Sequence, residues 1–129
     1  MTIVKVPKQL IALTKEHHLS LSIANKAINA KKLNNETAIC QLITETFERD
    51  FLKHFNFEEQ YILPLLIQKH QKDCQRIIDE HKLLLRLAKN INTKNLSEFG
   101  QLLKAHTRFE DRTLFTQIPA EYLTQIPSN

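Results

Sequence analysis

Apolar residues recur at intervals of three, four and seven along most of this chain. That period places them on one face of an α-helix, and such faces must be buried against one another. One glycine and four prolines among 129 residues leave little of the turn chemistry that a protein of many strands requires. With short connectors between four such segments, the sequence predicts an all-α, up-down-up-down four-helix bundle with a short C-terminal tail.

The boundaries of the first three helices follow from prolines and capping residues. The first should begin after Pro7, a residue suited to the first turn of a helix. The second should begin after Asn35, and Pro64 should bend or end it. The third should begin near Asp73.

The fourth helix should begin at Asn95, paired with Glu98 as a cap, and reach Phe115. The bundle then covers about residues 8–117. A chain of this length can bury a core of its own, so residues 1–129 are expected to form a single domain.

The two halves of the chain resemble each other. EHHLSLSIAN at 16–25 lies over EHKLLLRLAK at 80–89 with Glu, His, two Leu and Ala in register. HFNFEEQYILP at 54–64 lies over HTRFEDRTLFT at 106–116 with His, Phe and Glu identical. This pattern indicates a duplicated helical hairpin.

Each half therefore carries one histidine on its first helix and a His-x-x-x-Glu on its second. The six residues are His17, His54, Glu58, His81, His106 and Glu110. Residues four apart lie on one face of a helix, so each His-x-x-x-Glu pair can reach the same ion. A bundle core has no structural need for these groups, and a metal most readily offsets the cost of burying them. The six are therefore predicted metal ligands.

Imidazole with carboxylate suits iron, manganese or zinc, and the absence of cysteine from the set argues against structural zinc and iron–sulfur clusters. Two glutamates that each span both ions indicate a pair of metals. With two histidines per ion, the protein would fill about four of six octahedral positions, and a bridging oxide or hydroxide a fifth. About one open position would remain on each ion.

Taken in order, the motifs EHHLSL, HFNFEEQYILP and HTRFEDRTLF resemble the hemerythrin-like HHE cation-binding domain family. The resemblance covers the chain from about Lys8 to Phe115. It implies a non-haem centre of two iron ions inside a four-helix bundle, with the same four histidines and two glutamates as ligands.

The oxygen carriers of that family have a further histidine one turn away on the third helix. Here the positions that flank His81 by four residues are Ile77 and Leu85. The six-ligand pattern is similar to that of bacterial hemerythrin-like proteins linked to nitrosative stress and to the repair of iron centres.

The family also offers a second candidate for the last carboxylate. The carriers use an aspartate five residues after the last histidine, which would be Asp111 here. The internal repeat instead pairs Glu110 with Glu58, so Glu110 is the predicted ligand. Glu59 and Asp111 are expected to hydrogen-bond a ligand or to face water.

The expected function is the binding of oxygen, nitric oxide or peroxide at an open di-iron site, as a carrier, scavenger or sensor. The alternative is a di-iron enzyme that reduces nitric oxide or peroxide, or that repairs iron centres. A third hypothesis is a structural or zinc site. A role that is not enzymatic is favoured, and no catalytic residue is predicted.

The charges are scattered, with a net charge of +4, and do not indicate a nucleic-acid partner. Cys40 and Cys74 lie far apart with no secretory signal ahead of them, which fits a reducing cytoplasm. No run of about 18 uncharged apolar residues is present, so no membrane partner is expected. The expected partners are a small diatomic or peroxide ligand and, for the enzyme, an electron donor.

Overall fold

The computed structural model of the chain describes residues 10–127, and every regular element within them is helical. This confirms the all-α prediction for the described part of the chain, while Pro7 lies outside it. The α-helices are α1 (Ile11–Asn29), α2 (Glu36–Thr46), α3 (Leu52–Phe57), α4 (Gln71–Lys89) and α5 (Leu96–Phe109). Helices α1 and α4 each contact both α2 and α5, so the elements form a helical bundle. Its up-down-up-down order stays a prediction.

Wider and tighter helical turns extend two of these helices. A π-helical turn, Phe47–Phe51, joins α2 to α3, and a second one, Glu58–Ile62, follows α3. The 3₁₀ turn Leu63–Leu65 then ends this run. Helix α5 continues through a third π-helical turn, Glu110–Leu114, into the 3₁₀ turn Phe115–Gln117. Two of the π-helical turns thus begin at the glutamates that the internal repeat aligns.

The helix boundaries predicted at Pro64 and Asn95 agree with the structure in position, but the capping hydrogen bond predicted at Asn95 does not form. Helical turns stop at Leu65, one residue after Pro64, as the proline predicted. Asn95 occupies the N-cap of α5, but its side chain makes no capping bond, so the predicted pairing with Glu98 is wrong. The Asn95 side chain instead accepts a hydrogen bond from the Asn92 amide and donates one to the Asn90 carbonyl. These bonds shape the connector between α4 and α5.

The most extensive contact between α-helices, that of α1 with α5, includes the single glycine of the chain. A Cβ atom on Gly100 would lie 2.8 Å from the Ala24 carbonyl oxygen and 2.9 Å from the Ala27 Cβ. Both alanines are fully buried or nearly so. Small side chains on both helices therefore allow the two backbones to approach.

Buried apolar residues form two separate clusters rather than one continuous core. The upper cluster is Ile23, Ala24, Ala27, Ala30, Ile39, Ile43, Phe51, Phe55, Leu84, Ala88, Leu96, Phe99 and Leu103. The lower cluster is Leu13, Ile62, Leu63, Leu66, Cys74, Ile77, Leu114, Phe115, Ile118 and Ile126. Every long helical run contributes to both clusters. The histidines and glutamates of the repeat lie between the two contributions of each run, except that His54 directly precedes Phe55, the last residue that its run gives to the upper cluster.

The C-terminal tail folds back onto the bundle. After α5, the chain forms a 3₁₀ turn, Ala120–Gln125, and buries Ile118 and Ile126 in the lower cluster. Among the described residues, no helix is both long enough and apolar enough to cross a membrane.

Candidate metal centre

The structure brings all six predicted ligands, here called the inner residues, into one buried layer between the two apolar clusters. The histidines come from α1, α3, α4 and α5, and each glutamate is the first residue of a π-helical turn. The most exposed of the six, His54, is only 6% exposed. Their ligand atoms form two groups in which all atoms lie within 4.8 Å of one another. The first group holds His17 and His54 and the second His81 and His106, while both groups include Glu58 and Glu110.

Glu58 spans the two pairs of histidines. Its Oε2 atom lies 3.1 Å from the Nε2 atoms of both His17 and His54. Its other oxygen, Oε1, lies 3.0 Å from Nε2 of His81. One carboxylate therefore presents one oxygen to each group.

Glu110 also reaches both groups from the opposite half of the chain. Its Oε1 atom lies 3.2 Å from Nε2 of His17 and 3.3 Å from Nε2 of His106. Its Oε2 atom lies 4.0 Å from Nε2 of His81. Asp111 lies outside this layer, so the geometry places Glu110, and not Asp111, beside the inner nitrogens.

The candidate ligand atoms of the inner residues are close to one another, yet several of them make no hydrogen bond. Both carboxylate oxygens of Glu110 and the Nε2 atom of His106 are buried without a hydrogen-bond partner. Leaving such atoms unpaired costs about 1–3 kcal/mol each. Two ligand atoms at right angles, each about 2.1 Å from one ion, lie about 3.0 Å apart, close to the distances seen here. The donor set therefore fits metal cations better than it fits internal hydrogen bonding.

Each of the four histidines also has a carboxylate on its outward-facing nitrogen. The Nδ1 atoms of His17, His81 and His106 lie 2.5 Å from Asp111, 2.8 Å from Glu59 and 2.9 Å from Glu80, respectively, and His54 Nδ1 contacts Glu16. We call Glu16, Glu59, Glu80 and Asp111 the outer carboxylates. A proton held on Nδ1 leaves the lone pair of Nε2 directed inward, as a metal ligand requires.

The outer carboxylates repeat with the chain. Glu16 and Glu80 each precede a histidine, and each binds the other histidine of its own half. Glu59 and Asp111 each follow an inner glutamate, and each binds a histidine of the opposite half. The four bonds thus alternate between joining helices within a half and joining the two halves.

The sequence pattern predicted only part of this outer set. Glu59 and Asp111 were expected either to bind a ligand residue or to face water, and they do the former. The roles of Glu16 and Glu80 were not anticipated. Their signal was present, since the repeat aligns them as identical residues beside the aligned histidines.

The electrostatics of the layer favour protons on the histidines when no cation is bound. Burial, the largest single influence, lowers the pKa of His17, but Asp111, Glu110 and Glu58 together raise it to about 12. The same balance raises the pKa of His54 to about 10 and that of His106 to about 9. The pKa of His81 is also raised, for the same reasons.

Glu58 is shifted in the opposite sense. Burial acts to raise the pKa of this carboxyl group, but His54, His17 and His81 outweigh it and hold the pKa well below the usual range. Glu58 is therefore an anion in the layer, ready to bind a cation.

Aromatic rings and a cleft border the layer. The Phe55 ring stacks on His81 at 4.0 Å between ring centroids, and Phe115 stacks on His17 at 5.7 Å. A surface cleft of about 350 Å³ has His54 and Glu16 in its wall. Other lining residues are Leu19, Ser20, Arg49, Asp50, Phe51, Lys53 and Phe57. The layer is thus shielded by rings on one side and approached by a cleft on another.

Comparison with known protein families gives one match. Residues 9–118 of the chain match the family described as the hemerythrin HHE cation binding domain. The matched range contains all six inner residues and all four outer carboxylates. Searches among curated proteins and among solved structures returned no significant match.

Proposed function

Because the chain belongs to the hemerythrin HHE cation-binding domain family, we propose that it holds two iron ions and binds oxygen, nitric oxide or peroxide at them. In this proposal the ligands are the six inner residues, and the scaffold is an up-down-up-down four-helix bundle. The protein then acts as a carrier, scavenger or sensor of its small ligand.

The observation that supports a pair of ions is the sharing of both glutamates by both histidine pairs. Glu58 and Glu110 belong to each of the two groups of candidate ligand atoms. A single ion would need only one of these groups. Two groups with two carboxylates in common suit two ions, each of which would be held by one pair of histidines together with Glu58 and Glu110.

Iron suits the donors of the layer. Imidazole nitrogen and carboxylate oxygen are the donor types, and neither group of candidate ligands includes a cysteine. Cys74 is buried in the lower cluster, where its thiol lies 3.7 Å from the Leu63 carbonyl oxygen. When bound, two iron ions supply redox chemistry and about one open position each for an exogenous ligand.

The chain itself orients the ligands and limits the access of water. The outer carboxylates hold the Nδ1 protons, so that the Nε2 atoms face inward. Phe55 and Phe115 cover His81 and His17 with apolar rings. The cleft beside His54 offers a path for a small molecule.

A second candidate function is a di-iron enzyme that reduces nitric oxide or peroxide, or that repairs iron centres. The residues on α4 that flank His81 by one turn favour it. Ile77 is fully buried in the lower cluster, and Leu85 packs against the upper one. Neither side chain can bind a metal, so the ion at His81 would have fewer protein ligands than in the oxygen carriers.

The first experiment is metal analysis after anaerobic reconstitution with ferrous iron. We expect about two iron ions per chain, and near-complete loss of iron when His54 and His106 are both replaced by alanine. His18→Ala is the matched control, because His18 is exposed and lies beside a ligand without joining either group. Less than one iron per chain in the unaltered protein, or unchanged iron in the double variant, would contradict the di-iron assignment.

A second experiment separates the two functions. An absorption band that appears with oxygen and disappears on its removal would support reversible binding. Consumption of nitric oxide or peroxide over many cycles with a chemical reductant would instead support the enzyme.

A further inference from the structure

The two histidine pairs offer the same donor types but lie in different surroundings. We call His81 with His106 the α4/α5 subsite, and His17 with His54 the α1/α3 subsite. Each shares Glu58 and Glu110. Any difference in how the two subsites hold a metal must therefore come from what surrounds the histidines.

Aromatic packing against the histidines is closer in the α4/α5 subsite than in the α1/α3 subsite, where the Phe115 ring lies 5.7 Å from His17 and the Phe55 ring lies 5.8 Å from His54. Phe55 lies parallel to the His81 ring, with 4.0 Å between ring centroids and 9° between planes. The same phenylalanine meets the His106 ring edge-on at 5.7 Å. His81 is 0% exposed and His106 is 1% exposed. Neither imidazole can turn away without displacing a buried aromatic side chain.

An arginine further fixes the outer carboxylate of this subsite. Arg76 Nε donates to Glu80 Oε2 at 3.1 Å, while Glu80 Oε1 lies 2.9 Å from His106 Nδ1. The Arg76 guanidinium group also lies 3.8 Å above the Phe109 ring. The chain of contacts from Arg76 through Glu80 to His106 therefore joins α4 to α5.

The other three outer carboxylates have no such support among the described residues. The Glu80 side chain is 17% exposed, whereas those of Glu16, Glu59 and Asp111 are 40%, 37% and 39% exposed. The ion pairs of these three residues are with histidines alone. They compete with water for their bonds, so they restrain their histidines less.

The α1/α3 subsite is also the one beside the cleft. His54 is the most exposed inner residue, at 6%. Both His54 and its partner Glu16 line the cleft of about 350 Å³. A metal leaves a protein when its ligands move away one at a time. Here one ligand, His54, and the carboxylate that supports it, Glu16, both border the cleft.

From this asymmetry we infer that the α4/α5 subsite retains its metal while the α1/α3 subsite exchanges its metal through the cleft. The inference rests on the proposed binding of two ions. It assigns Arg76 and Glu80 as positioning residues for His106, and Glu16 as the residue whose movement opens the exchangeable subsite.

The test is the release of metal to a chelator. Protein loaded anaerobically with ferrous iron is mixed with a large excess of a coloured ferrous chelator, and the iron–chelator complex is followed with time. We expect two phases of about equal size, with the fast one at least about tenfold faster, the lower end of the effect that supporting partners have on metal sites.

Variants of the residues that support each subsite assign the phases, and of these Glu80 and Glu16 are equivalent in the repeat. Glu80→Gln and Arg76→Ala should speed the slow phase and leave the fast one unchanged. Glu16→Gln should speed the fast phase alone. Arg86→Ala is the matched control, because it removes the same charge from an exposed position on α4. Circular dichroism of each variant checks that the helices remain.

The outcomes separate a failure of this inference from a failure of the proposed function. Binding of fewer than about two ions by the unaltered protein would overturn the proposed function and this inference with it. Two ions that leave in a single phase would overturn the inference alone. So would a slow phase that responds to Glu16→Gln, or one that responds equally to Arg76→Ala and Arg86→Ala.

Discussion

The bonds of individual histidines determine what the proposed site can bind. Each inner histidine has one nitrogen toward the glutamates and the other against an outer carboxylate. Outer partners of this kind typically change metal affinity about 10- to 100-fold when removed. Neighbouring acidic residues can therefore have quite different roles, and Glu110 and Asp111 are such a pair.

Replacing these two neighbours should have different effects on metal binding. Glu110→Ala removes a carboxylate shared by both groups of ligand atoms, so we expect iron stoichiometry to fall. Asp111→Ala removes only the partner of His17 Nδ1, so we expect about two ions at saturation with about 10- to 100-fold weaker affinity. Metal titration measures both quantities.

Glu98→Ala, at an exposed position on α5, is the control for the loss of one negative charge. The reverse result, with stoichiometry lost in Asp111→Ala and kept in Glu110→Ala, would exchange the two assignments.

The residues of the inner layer were easier to predict than those around it. The four histidines and two glutamates repeat at fixed spacing, and a regular helix brings i and i+4 to one face. The outer carboxylates depend on which helices become neighbours and on how each side chain turns. Spacing along one helix cannot supply that information for Glu16, whose partner His54 lies 38 residues away.

At the scale of the helices, the departures from regular α-helix are the features that the periodicity could not predict. The wide turns that start at Glu58 and Glu110 have the i to i+5 hydrogen-bond pattern of a π-helix instead of the i to i+4 pattern of an α-helix. Both occur at the same position of the internal repeat. The turn at Phe47–Phe51 has no counterpart in α5, so the two halves are similar without being identical.

The contact between α1 and α5 gives a prediction about Gly100. Gly100→Ala should gain about 1 kcal/mol from helix propensity but should lose about 1–3 kcal/mol from overpacking. Overpacking should prevail, because the new Cβ would lie 2.8 Å from a backbone oxygen that cannot move away alone. Thermal unfolding of the metal-free protein measures the difference.

Gln101→Ala provides the comparison, since Gln101 is the next residue on α5 and is exposed. It should change stability by less than about 0.5 kcal/mol. A Gly100→Ala variant as stable as Gln101→Ala would show that the two helices can separate at little cost.

In the molecule as a whole, a charged layer divides the apolar core into two clusters. The helical class and the grouping of the six inner residues could be predicted from the sequence because each depends on a repeated pattern. The division of the core into two clusters requires the three-dimensional arrangement of all the helices. It makes the stability of the metal-free protein sensitive to the charge of one layer.

That sensitivity gives a prediction about pH. Burial, the largest single influence, lowers the pKa values of His54 and His106. The carboxylates Glu58, Glu16, Glu110 and Glu80 outweigh it and raise these values from 6.5 to about 10 and about 9. A histidine whose pKa is raised by folding contributes its full stabilisation at pH values below the pKa that it has in the unfolded chain. This stabilisation declines above pH 6.5 and is lost as the pH passes the folded values near 9 and 10.

We therefore expect the unfolding temperature of the metal-free protein to fall as the pH rises through this range. The unfolding temperature of the metal-loaded protein should fall less, because the ions replace the protons as partners of the glutamates. Unfolding followed by circular dichroism at a series of pH values, with and without a chelator, makes the comparison. A metal-free protein that becomes more stable across the same range would contradict this distribution of charge in the layer.

The sharing of the two glutamates has a consequence for the origin of the fold. Each half supplies two histidines and one glutamate, and each group of ligand atoms takes its second glutamate from the other half. A single hairpin therefore cannot complete either group, whereas two hairpins complete both. The ligand set thus has the internal symmetry of a dimer within one polypeptide, and because the two halves have different sequences, the surroundings of the two groups are free to differ.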